Sequence, residues 1–201
     1  MIVSQNEIEG LALKAARGAG FSWGMAEDVA QATRWLAAHD FDAIDALDRL
    51  LADQTVEPGS LLCTIGSGTE VADGNFDEVP FPLFYVSVPL LLLPFVARFA
   101  CDIGRAVEVT WTNAKVVIVP EGPHAVRVAA KGAIDAGIVN PVMVGPADDD
   151  EAPDGRRARA GGREVDAAAW ARLEAIGART YVPASDQSRI AGAGASLSDN
   201  D

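Results

Sequence analysis

Two segments of the chain place groups that could hold a ligand. In the first, Lys14 and Arg17 lie three residues apart, so a helix carries both on one polar stripe. Gly18 and Gly20 follow, and Trp23 opens the next helical pattern. Two cations beside a helix start suit a carboxylate or a phosphate, which makes a small anionic molecule the expected partner. The alternative is a solvated face, with the glycines as helix terminators and Trp23 in the core. The second segment is Tyr181, Ser185, Ser188 and Arg189, followed by a run from Gly192 to Asp201. It is rich in hydroxyl and carboxylate groups, and Asp199 and Asp201 could serve a proton or a metal. The alternative is a polar terminus without structure. An enzyme built on these groups needs the second segment to fold back on the first.

Other chemistry is thinly supplied. His39 and His124 are the two histidines, and no carboxylate or thiol stands beside either at a catalytic spacing. Either could act as a general base, and the alternative is an isolated surface side chain. Cys63 and Cys101 sit in apolar surroundings and read as small core residues, although a disulfide between them stays open. With no ligand pairs at metal spacing, no metal site is expected, and no cofactor is named by any motif. Gly66-Ser67-Gly68-Thr69 lacks the Lys of a P-loop and runs into Glu70 and Asp73, so it reads as a loop after a short strand. Gly192-Ala193-Gly194-Ala195 lacks a following helix.

The charge narrows the partners further. The 201 residues carry a formal charge of −13, which opposes binding to nucleic acid. The Arg156, Arg157, Arg159 and Arg163 group follows a run of acids from Asp148 to Asp154 and reads as a solvated loop whose field is cancelled. Residues 81–101 hold one charge, Arg98, over a length that could cross a bilayer. Pro82, Pro89 and Pro94 interrupt it, so a buried strand and helix are expected there and a membrane span is not. The same run could form a homodimer interface. With no secretory signal at the N-terminus, the expected compartment is the cytoplasm.

The elements that must position these groups are legible in part. Ser4 and Glu7 form a capping box, Val3 and Ile8 a hydrophobic staple, and Gly18 a left-handed helix end. Ser22 caps a second helix that buries Met25, Val29, Ala32 and Leu36. A third starts near Asp42 and buries Phe41, Ile44, Leu47 and Leu51, with Asp42, Asp45 and Asp48 in solvent. Strands follow at 61–65 and 84–88, then a helix from Pro89 to about Gly104. Val107–Thr112 alternates and pairs with 115–119 across Asn113-Ala114, giving a central hairpin. Strands at 126–129 and 142–144 flank a short helix ending at Gly137. Asp166 caps a last helix that presents Trp170 and Leu173 and stops at Gly177, and Thr180–Val182 reads as a final strand. The expected fold is α+β, an N-terminal three-helix unit packed on a mixed or antiparallel sheet. Its organisation is a helical unit over 1–55, an α+β body over 56–190 and a tail over 191–201.

Two resemblances follow from these residues. Lys14 to Gly20 with Trp23 to Asp28, and Thr180 to Ser185 with Ser188-Arg189 and Gly192 to Gly194, resemble the opening and ending of a bacterial family described as a domain of unknown function. That resemblance extends over almost the whole chain and implies no activity. The first 50 residues are also similar to the N-terminal helices of the malate/lactate dehydrogenase family. Ala46-Leu47-Asp48 stands where that family has a Ser-His-Gly motif with a proton-donating His, so its activity is not implied. Two functions stay open: a small-molecule-binding or accessory protein, and an enzyme acting on a small anionic metabolite. A homo-oligomeric interaction module is compatible with either.

Overall fold

A computed structural model describes residues 1–52, 60, 63–74 and 80–180. The chain opens with strand β1 (Ile2–Val3) and helix α1 (Gln5–Gly18). The capping box is complete: the Glu7 amide donates to Ser4 Oγ at 3.2 Å and the Ser4 amide donates to Glu7 Oε2 at 2.7 Å. These bonds hold the Glu7 carboxyl below the usual carboxylate range, the Ser4 amide contributing most. Val3 and Ile8 are both buried, as a staple requires. Helix α2 (Trp23–Ala38) starts where Ser22 Oγ accepts from the Met25 amide, and α3 (Ala43–Ala52) follows.

Two details of these helices differ from the sequence reading. Gly18 is not the left-handed residue; Ala19 ends α1 in right-handed geometry and Gly20 takes the positive φ of 97°. Gly18 is small for another reason, because a Cβ there would lie 2.0 Å from the Ile176 carbonyl oxygen. Asp48, expected in solvent, is buried at 7% exposure. Its carboxylate accepts from Arg172 Nε at 3.0 Å and Nη2 at 2.7 Å, a forked pair reaching across from the last helix.

Helix α4 (Thr64–Ala72) replaces the strand expected at 61–65, of which residues 61 and 62 lie outside the described residues. Gly66-Ser67-Gly68-Thr69 is therefore helical and not a loop. Gly68 is needed because a Cβ would come within 2.4 Å of the Phe95 ring. Strands β2 (Phe81–Leu83) and β3 (Val86–Ser87) come next, broken at Phe84-Tyr85, where Tyr85 has φ 56°. A 3₁₀ turn over Pro89–Leu92 leads into α5 (Leu93–Ile103), closed by Gly104 in the left-handed conformation. The apolar run 81–101 is thus buried strand and helix. No helix among the described residues is long and apolar enough to cross a membrane. Phe84 and Tyr85 are the large apolar side chains of that run left exposed, and the homodimer expectation rests on them.

The sheet is antiparallel throughout. Strands β4 (Val107–Trp111) and β5 (Ala114–Pro120) form the central hairpin, with Trp111 opposite Ala114. The turn residues are Thr112 and Asn113, one position earlier than expected, because Asn113 takes the positive φ of 63°. Strand β6 (Val126–Gly132) continues the meander. No helix ends at Gly137. Gly132 turns the chain at φ 83°, and the Ala133 amide donates to the Asn113 carbonyl at 2.9 Å. The few residues left cannot nucleate a helix against that turn. Strand β7 (Ile138–Val139) pairs with β3, and β8 (Val142–Pro146) lies between β2 and β4. With β9 (Arg156–Arg157) on the far edge, the order is β2-β8-β4-β5-β6-β9. Strand β10 (Arg163–Glu164) pairs with β1.

Helix α6 (Ala167–Gly177), capped by the Asp166 carboxylate, packs on α1 and α3. Thr180 ends a 3₁₀ turn that follows it and is not in a strand; residues 181–201 lie outside the described residues. The architecture is α+β. Helix α5 is the joint, touching α2 on one side and β4 and β5 on the other. Phe95, Val96 and Phe99 fill that layer.

The stretch read as a cancelled, solvated loop also has a structural task. Arg156 Nη1 donates to the Asp40 carbonyl at 2.6 Å, and Arg163 donates to Ala37 and Ala38 at 2.5 and 3.2 Å. Arg163 thus caps the C-terminal carbonyls of α2, where the helix dipole favours cations, and Arg156 holds the Asp40 carbonyl just past the helix end. Arg157 instead pairs with Glu121 at 2.6 Å.

Candidate functional site

The first segment singled out by sequence lies on the surface. Lys14 is exposed, and its Cβ sits against Gly177. Arg17 turns away to donate to the Phe21 carbonyl at 2.5 Å. Its guanidinium lies 4.6 Å from the centre of the Trp23 ring. Trp23 is 64% exposed, so it does not fill the core as the bland reading expected. Arg17 and Trp23 are brought together as a cation–π pair. Tyr181, Ser185, Ser188 and Arg189, with Asp199 and Asp201, lie outside the described residues.

Concavity is found elsewhere, between α2, α5 and the turn joining β5 to β6. A cleft of ≈ 300 Å³ is lined by Asp28, Trp35, Phe95, Arg98, Cys101 and His124, among others. A second, of ≈ 490 Å³, is lined by Trp35, His39, Glu121, His124 and Arg157, among others. Gln31, Trp35, His124 and Val126 line both, so the two form one trough. Its size falls in the range of small-molecule sites, roughly 300–1,000 Å³. Neither cleft is lined by Lys14, Arg17 or Trp23.

Helix α2 positions the first wall. Asp28, Gln31, Trp35 and His39 recur at three- and four-residue steps, so they stand on one face. Burial first, then Glu27, raises the Asp28 carboxyl above its usual range. Helix α5 supplies Phe95, Arg98, Cys101 and Asp102 at similar steps. Arg98 Nε lies 3.9 Å from the Asp102 carboxylate, both well exposed. The Cys101 thiol, pushed up by burial, makes a long contact of 3.9 Å to the Ala125 carbonyl. Both cysteines are free thiols. The turn 121–125 closes through the Glu121 amide and Ala125 carbonyl at 2.7 Å, and it presents His124.

His39 is the residue the sequence reading placed wrongly. It is 2% exposed rather than on the surface. As the residue that ends α2, it turns back over Trp35, its ring centre 3.9 Å from the indole. Phe41 stacks at 6.5 Å from the same indole, and the Arg156 guanidinium lies 4.8 Å from Phe41. The spacing Trp35-x-x-x-His39-x-Phe41 holds the signal for this stack, since residues four apart share a helix face.

Burial pushes the His39 imidazole below its ordinary 6.5, while the Trp35 carbonyl and Asp40 act the other way. The unfolded chain therefore takes up this proton more readily than the folded one. Stability is lost as pH falls through about 6.5 toward the depressed native value. Asp28, raised in the fold, contributes in the opposite sense. The difference between wild type and His39→Phe isolates the imidazole. Melting temperatures taken between roughly pH 8 and 5 should fall less steeply for His39→Phe. Equal slopes would show that His39 titrates normally.

No curated protein and no solved structure matches the chain. A family match begins in β1 and ends just after α4; it holds Lys14, Arg17 and Trp23 and the α2 wall of the trough, and stops short of residues 180–194. What this identifies is a segment: residues 3–75 match the family described as Protein of unknown function (DUF3726).

Proposed function

We propose that the chain is a small-molecule-binding protein whose ligand lies in the trough between α2, α5 and the 121–125 turn. The observation that carries this reading is the sharing of Gln31, Trp35, His124 and Val126 by two adjoining clefts. Apolar walls from Trp35, Phe95 and Val126, with a few polar groups between them, are the usual make-up of such sites. A cytoplasmic place belongs to the same reading and is supported by the two free thiols. The second reading is a small anion held at Lys14 and Arg17, supported by the exposed Trp23 ring beneath the Arg17 guanidinium.

A thermal-shift screen with phenols, indoles, nucleobases and organic acids separates the two. A compound at about a hundred times its dissociation constant adds roughly 2.7 kcal/mol to stability. Gln31 is exposed on α2 and faces both clefts, so Gln31→Trp blocks the trough without touching the core. Hits should be lost in Gln31→Trp and kept in Lys14→Ala/Arg17→Ala. The reverse pattern would move the site to the α1–α2 turn, and hits indifferent to Gln31→Trp would remove the trough reading.

A further inference from the structure

We infer that the ligand of the trough is a neutral molecule that donates a hydrogen bond, through an O–H or N–H group, to Nε2 of His39. The inference rests on the binding reading above and names the chemistry of its second cleft.

The tautomer follows from geometry. His39 Nδ1 lies 2.8 Å from the Trp35 carbonyl oxygen. A carbonyl only accepts, so Nδ1 carries the hydrogen and Nε2 presents a lone pair. That Nε2 is buried and has no hydrogen-bond partner. The ring is 2% exposed and lines the second cleft. Buried acceptors are nearly always satisfied, and an unpartnered one on a residue that lines a cleft is what the donor of a ligand entering there would complete.

The charged groups around the cleft are already matched to one another. Arg157 forks onto Glu121 at 2.6 Å for both bonds, and Arg127 adds a third at 3.0 Å. Arg34 is bound by Glu9 at 2.5 Å and Asn6 at 2.9 Å. The remaining wall is mostly apolar, Trp35, Ala38, Ala125, Val126 and Ala158, with Gln31 and His124 as its other polar side chains. A charged ligand would have to break these pairs. A compact, largely apolar molecule with one donor would not. A metal ion is a poorer match for the lone pair, because no three His, Cys, Asp or Glu side chains converge among the described residues.

The test pairs probes that differ only in the donor: phenol with anisole, and indole with 1-methylindole. Binding is followed by NMR through the Trp35 indole N–H, which reports occupancy of either cleft, and through the ¹⁵N shift of His39 Nε2. Phenol or indole should move both signals and bind about tenfold more tightly than the methylated partner. His39→Phe, which keeps the ring but not the acceptor, should erase that preference while the Trp35 signal still moves. Perturbation of Trp35 without any change at Nε2, or equal affinity for both members of each pair, would overturn the inference and leave the trough reading standing. An Nε2 shift already characteristic of a hydrogen-bonded nitrogen in the free protein would also overturn it. No perturbation by any probe would remove both.

Discussion

Gly18→Ala is expected to lower the stability of the protein by about 2–3 kcal/mol. In an ordinary helix this substitution helps, because alanine is the better helix former by about 1 kcal/mol. Here the last turn of α1 meets the end of α6 backbone to backbone. A Cβ at Gly18 would stand 2.0 Å from the Ile176 carbonyl oxygen, 2.7 Å from its carbon and 3.2 Å from the Gly177 Cα. None of these is the tip of a flexible side chain, so relief requires one helix to move. The contact is reciprocal, since a Cβ on Gly177 would meet Lys14 and Ala15 at 3.2–3.4 Å. Two glycines, one on each helix, set this separation. Pushing α6 outward also strains Leu173, fully buried, and the Arg172–Asp48 pair. Gly10→Ala is the control on the same helix. A Cβ there has nothing within 4 Å, so that variant should gain about 0.5–1 kcal/mol. Urea denaturation of both variants, compared at constant slope, checks the pair. A neutral Gly18→Ala would mean that α1 and α6 do not approach as closely as described.

Glycine also marks where the sequence could be read and where it could not. The capping box at Ser4 and Glu7, the Ser22 and Asp166 caps, and the 107–119 hairpin were legible because each is decided within a few residues. The glycines at 18 and 68 were misread as turn residues because their cause is distant. Gly18 answers to Ile176, and Gly68 to Phe95. No local pattern reports a neighbour so far along the chain. The same limit applied to charge. Asp48 fits a solvated helical face until Arg172 is known to reach it, and the 156–163 arginines look cancelled until α2's end is placed beneath them. The trough was hidden for this reason too. Its walls come from α2, α5 and the 121–125 turn, and each contributes residues that look ordinary alone. His39 was the one local clue, through its four-residue spacing from Trp35, and it read as surface because polar residues commonly follow helices.

Arg163→Ala is expected to destabilise the protein by about 2–4 kcal/mol. The side chain is only 15% exposed, so its bonds are poorly screened by water. Its Nε donates to the Ala37 carbonyl at 2.5 Å, and Nη2 donates to Ala38 at 3.2 Å and to Arg159 at 2.7 Å. Nη1 donates to Gly162 at 3.1 Å, and the Asp40 carboxylate lies 3.2 Å from Nε. One guanidinium thus satisfies the last carbonyls of α2 and fastens them to the 159–163 segment. Removal leaves the Ala37 carbonyl to the Asp40 amide at 3.2 Å and the Ala38 carbonyl to the Arg159 amide at 2.8 Å, without the Arg163 cation at the negative end of the helix dipole. Lysine restores the charge but not the fork, because a single nitrogen cannot reach carbonyls on two segments at once. Arg163→Lys should therefore recover less than half of the loss. Arg159→Ala, whose side chain is 74% exposed and 3.6 Å from Asp40, should cost no more than about 0.5 kcal/mol. Hydrogen exchange gives the local reading. The His39 amide is tied to Trp35 and Leu36, and the Phe41 amide to Leu36. In Arg163→Ala these amides should exchange faster than those in the middle of α2. Loosening that end would carry His39 with it, so the variant that frays the helix should also blunt the preference of the trough for a donating ligand.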